Sequence, residues 1–126
     1  DLGSTLAYWV EESDSALFKA TRRQPTNLKG MFTRKEVVDY YLEKTGLEVE
    51  NWTFYEVFGI FRLAVIAQQI YYRYHHKQTN NPAFKDFWIL IHALHIRALK
   101  LIGLQKIEAN EVAQKYIVKM KEILGK

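Results

Sequence analysis

Asn51-Trp52-Thr53-Phe54-Tyr55-Glu56-Val57-Phe58-Gly59-Ile60-Phe61-Arg62-Leu63-Ala64-Val65-Ile66-Ala67-Gln68-Gln69-Ile70-Tyr71-Tyr72-Arg73-Tyr74-His75-His76 carries the longest unbroken helical pattern in the chain. It contains no proline, and Asn51 is a good N-cap for a helix over Trp52 to His76. With Phe54 at zero and a turn of about 100° per residue, Phe54, Val57, Phe58, Phe61, Val65 and Tyr72 fall on one face. Ile60, Leu63, Ala67 and Ile70 fall on the opposite side. A helix apolar nearly all round is expected to be buried on most sides, as the central pillar of a bundle. Tyr55, Arg62 and Gln69, seven residues apart, make one polar stripe along it, with Arg73 close to the same line. A buried guanidinium is costly unless paired. Arg62 therefore calls for a carboxylate from another helix, Asp1 or Glu12, or for an anionic ligand in a substrate pocket.

Helices flank this segment on both sides. Thr33-Arg34-Lys35-Glu36 reads as a capping box, opening a helix that carries Val37, Val38, Tyr41 and Leu42 and stops at Gly46. A first helix is expected from Asp1 to about Val10, with Leu2, Leu6 and Trp9 on one face, then a short helical piece around Ala16, Leu17 and Phe18. Downstream, Asn81-Pro82 starts a helix with Phe84, Phe87, Trp88, Ile91, Leu94, His95, Ala98 and Ile102 at helical spacing, ending at Gly103. A last amphipathic helix is expected over about Ile107 to Leu124, with Val112, Tyr116, Met120 and Ile123 on one side. Alternating strand patterns are absent. The expected fold is all-α, about five helices around the long central one, in a single helical domain over residues 1–126.

The 126-residue length suits one domain, and 48% apolar with 25% charged residues suits a globular protein. The richest apolar run, Leu63 to Tyr72, is broken by two glutamines and falls short of the ~20 residues a membrane span needs. Zero cysteines exclude disulfides and thiolate chemistry, and a cytoplasmic location is expected. The +4 net charge is uneven: residues 17–35 hold Lys19, Arg22, Arg23, Lys29, Arg34 and Lys35 with no acid. Without a dense basic run this stretch reads as solvated surface, and neither nucleic acid nor a membrane is the expected partner. His92 and His95 have a spacing two metal ligands can use, but no third ligand is placed to join them. His75-His76 meets the negative end of its helix.

Several segments, taken in order, resemble one family. Asp1-Leu2-Gly3-Ser4-Thr5-Leu6-Ala7-Tyr8-Trp9 resembles the tail of Gly-Asp-Pro-x-x-Asp-Leu-x-x-x-Leu-Ala-Tyr-Trp in aminoglycoside phosphotransferase-like (choline-kinase-like) small-molecule kinases. Thr33 to Gly46 resembles the helix and "x-x-Thr-Gly" turn of a subfamily that includes domains fused to acyl-CoA dehydrogenases. Tyr55 to Ala64 resembles its "Tyr-Glu-x-Phe-x-x-Phe-Arg-Leu-Ala" signature, and Gln78 to Pro82 its "Gln-x-x-Asn-Pro" loop. The resemblance covers residues 1 to about 102 and fades beyond Gly103.

The resemblance implies the C-terminal helical subdomain of a protein-kinase-like fold, with the catalytic residues upstream of residue 1. The catalytic His-Gly-Asp-x-x-x-x-Asn loop, the nucleotide-binding Gly-rich loop and the Lys–Glu pair are absent from these residues, so this part alone is not expected to be catalytic. ATP and Mg²⁺ are implied for the parent protein, bound with its N-terminal kinase lobe. Tyr55, Arg62 and, further along the stripe, Gln69 are the expected acceptor-facing residues. An arginine there suits an acidic or phosphate-bearing small-molecule acceptor better than a polycationic aminoglycoside. Asp1 matches a structural Asp that caps or anchors its helix, and Tyr8 and Trp9 match packing aromatics. A helical subdomain without its partner lobe is expected to expose apolar surface, through which it could also form a homodimer. The rival reading is a non-catalytic all-helical ligand- or protein-binding module, such as the effector domain of a regulator.

Overall fold

The computed structural model of the protein describes residues 1–103 together with Val118, Lys119 and Glu122. The described residues are helical and contain no strand: α1 is Leu2–Tyr8, α2 Ala16–Ala20, α3 Arg34–Thr45, α4 Trp52–His75 and α5 Phe87–Leu101. A 3₁₀ turn over Pro82–Phe84 precedes α5. The fold class is all-α. Most of the helix expected over 107–124 lies outside the described residues, of which Val118, Lys119 and Glu122 are helical. The chain divides into two compact units, Asp1–Leu63 and Ala64–Lys126, and α4 contributes residues to both.

Local chemistry sets most boundaries. The Thr33 hydroxyl accepts from the Glu36 N–H while the Glu36 carboxylate accepts from the Thr33 N–H, so the capping box is complete. Gly46 ends α3 at φ 68°, a left-handed conformation that glycine adopts without a Cβ penalty. Ser15 caps α2 through its side chain, and Asn51 accepts from the Phe54 N–H at 3.3 Å to open α4.

Two boundaries differ from expectation. α1 stops at Tyr8, before Val10, because the next residues bond to distant partners. The Val10 N–H donates to the Thr26 hydroxyl at 3.0 Å, and the Trp9 carbonyl accepts from Arg34 at 2.8 Å. These bonds hold Trp9 extended at ψ 111°. Asn81-Pro82 opens the 3₁₀ turn, and α5 proper begins at Phe87. Of the two aromatics expected to pack, Trp9 is half-buried, its indole donating to the Phe32 carbonyl at 2.8 Å, whereas Tyr8 is exposed.

In the first unit Leu6, Ala7, Val10, Phe18, Val38, Ile60 and Leu63 are buried; in the second, Ala67, Ala93 and Leu94 are. The expected central pillar is corrected here. α4 buries only the narrow strip from Gly59 and Ile60 through Leu63 to Ala67, while Phe54 and Phe61 are each 60% exposed and Phe58 50%. Val65, Ile66 and Tyr72 are exposed as well. Periodicity counts apolar residues, but it does not count the elements available to cover them.

Candidate functional site

α1 crosses α4 within the first unit with the two backbones almost touching. A Cβ on Gly59 would fall inside contact distance of the Gly3 carbonyl group and 2.9 Å from the Ser4 nitrogen. A Cβ on Gly3 would equally meet the Tyr55 carbonyl group. Only paired glycines permit this approach. Beside the crossing runs a groove of about 240 Å³. Asp1 and Ser4 line it from the α1 side, and Phe54, Tyr55, Phe58 and Arg62 from α4. Phe54 meets Tyr55 edge-to-face at 5.4 Å and lies nearly parallel to Phe58 at 6.2 Å.

Arg62 is exposed, which removes the desolvation argument for a buried partner. Among the described residues it forms no ion pair with Asp1 or Glu12. Its Nη1 donates to the neutral Ser4 hydroxyl at 3.2 Å. Asp1 sits at the N-cap of α1, but its carboxylate makes no capping bond; its backbone carbonyl accepts from the Thr5 N–H at 3.0 Å and the Thr5 hydroxyl at 3.3 Å. The anchoring is therefore by backbone. Gln69 and Arg73 are exposed residues of the second unit and do not line the groove.

Tyr55, Arg62 and Asp1 thus share one groove, and Ser4, Gly3 and Gly59 join them. The sequence held one signal for the missed residues. Gly59 interrupts an otherwise good helical run, and an isolated helical glycine usually has a packing reason.

Arg34, which charge counting assigns to solvated surface, is a half-buried arginine of the first unit at the centre of a carboxylate cluster. Its side chain is 15% exposed. Nη1 and Nη2 donate to both Asp14 carboxylate oxygens at 2.8 and 2.7 Å, and Nε lies 3.4 Å from Glu11 and 3.8 Å from Glu56. Burial works against the charge, but the Asp14 bonds and the three carboxylates outweigh it, and the guanidinium's pKa is raised. This cluster ties the chain after α1 to the starts of α3 and α4. It binds protein groups and is structural.

In the second unit, burial and the positive charges of Lys119 and His95 push the His92 imidazole down to about 4. It is neutral near pH 7. No group of three or more His, Asp or Glu able to hold a metal occurs among the described residues, and no helix there is long and apolar enough to cross a membrane. Comparison with protein-family models, with curated proteins and with solved structures gave no match.

Proposed function

We propose that this chain is the helical, acceptor-binding part of an ATP-dependent small-molecule phosphotransferase, with the α1–α4 groove as one wall of the acceptor site. The observation that carries the reading is the setting of Arg62. A guanidinium stands at the edge of an aromatic groove with a neutral hydroxyl as its hydrogen-bond partner, and it is free to meet an anion. A guanidinium offers a planar fork of donors suited to carboxylate or phosphate. The exposed Phe54, Phe58 and Phe61 next to it are the kind of apolar surface that a second lobe covers.

Arg62 and Tyr55 would orient the acceptor so that its hydroxyl faces the phosphoryl donor. In phosphoryl transfer, positioning and charge neutralisation supply most of the catalysis. On this reading ATP, Mg²⁺ and the catalytic Asp belong to an N-terminal lobe of the parent protein. The reading frame upstream of the Asp1 codon tests this. It is expected to encode His-Gly-Asp-x-x-x-x-Asn followed by Gly-Asp-Pro shortly before Asp1. A frame lacking both would refute it and favour a free-standing binding module.

A further inference from the structure

Asp1 and Arg62 line the same groove without forming an ion pair. Opposite charges left apart in one groove can each meet a different part of a ligand. Phe54, Tyr55 and Phe58 line the same groove, and their rings offer flat apolar faces. The Gly3–Gly59 crossing leaves bare backbone there, where any side chain would collide.

We infer that the groove binds a flat organic monoanion that also carries a hydroxyl or amino donor, of the aromatic hydroxy- or amino-carboxylate type. Arg62 and the Ser4 hydroxyl take the carboxylate. The aromatic rings take the flat body, and the Asp1 carboxylate accepts from the ligand's hydroxyl or amino hydrogen. The same Asp1 charge disfavours a multiply charged phosphate ester, so the site selects a single negative charge. A groove of about 240 Å³ holds a ligand of one ring and a short side chain, below the size of common drug-sized pockets. As a statement about the acceptor, this rests on the phosphotransferase reading; as a statement about binding, it stands without it.

The test is binding of 4-hydroxyphenylacetate to the 126-residue chain with its N-terminus acetylated, which leaves Asp1 its carboxylate charge alone, followed through backbone amide NMR shifts, beside the neutral analogue 4-hydroxyphenylethanol and the dianion phenyl phosphate. Saturable shifts at Gly3, Ser4, Phe58 and Gly59 are expected. Affinity should fall about tenfold in Arg62→Gln, the scale for losing a hydrogen bond to a charged group, and by a similar factor for the neutral analogue. Asp1→Asn should narrow the preference for the carboxylate over phenyl phosphate. Arg62 is exposed, so Arg62→Gln is expected to fold, and Ser4→Ala gives a second, smaller loss. Equal binding by Arg62→Gln, equal binding of the neutral analogue, shifts spread over the lysines, or no saturation at millimolar ligand would each overturn the inference. Binding by the chain without phosphotransfer to such ligands in the parent would sink only the enzyme reading. Phosphotransfer to another acceptor without this binding would sink only the ligand assignment.

Discussion

Removing the Arg34 guanidinium would take from Asp14, Glu11 and Glu56 the cation that they share. Arg34→Met should therefore cost about 3 kcal/mol of unfolding free energy, the scale for breaking a buried charge cluster. Urea denaturation checks it, and a loss under about 1 kcal/mol would mean that water already screens the site. In the sequence this residue is one of six cations in residues 17–35, and its acids come from two other segments, Glu11 and Asp14 from one and Glu56 from α4. Charge counting along the chain could not bring them together. Arg62 was legible as the unusual arginine, but its burial was not, because exposure depends on what covers α4. His92 adds a pH prediction. Its folded pKa of about 4 lies below the ordinary 6.5, so the folded state binds fewer protons than the unfolded one between those values. Its contribution to stability is complete above pH 6.5 and is lost as pH falls toward 4. The unfolding midpoint of His92→Gln should accordingly fall less between pH 7 and 5 than that of the parent chain. Imidazole resonances of His92 titrating near 6.5 would contradict this.

Gly59 and the residues after it decide how α4 is used as an element. On an exposed helix face, replacing glycine by alanine gains up to about 1 kcal/mol. At Gly59 the added methyl meets Gly3 and Ser4 backbone that cannot swing away. Gly59→Ala should instead destabilise by about 1–3 kcal/mol, and a stabilised variant would show that α1 does not cross here. Ile60 and Phe61 are neighbours with opposite fates, 1% and 60% exposed. Ile60→Ala should cost about 2–4 kcal/mol, whereas Phe61→Ser should stay within about 1 kcal/mol; thermal unfolding of the pair tests which face of α4 is inside. Element ends were legible where the chemistry is local, as at Thr33, Gly46 and Asn51. The end of α1 was not legible, because Thr26 and Arg34 hold Trp9 and Val10 from 16 and 25 residues away.

At the scale of the molecule, the helical class followed from apolar spacing and the lack of alternating strands. The partition of apolar residues between core and surface did not follow, since a helix with rings on both faces is compatible with one cover or two. The first unit covers one face of its part of α4 and leaves Phe54, Phe58 and Phe61 at the surface beside Arg62. That combination of an exposed aromatic face and a guanidinium with no carboxylate partner among the described residues is the basis for reading an acceptor wall. The most direct measurement is steady-state phosphotransfer by the parent polypeptide and its Arg62→Met variant, with ATP and a hydroxyl-bearing organic acid. The account predicts kcat/KM for the acid lowered about tenfold or more and an unchanged melting temperature, the loss of a contact that binds and positions the acceptor. An unchanged kcat/KM, or no ATP-dependent transfer by the parent, would contradict it.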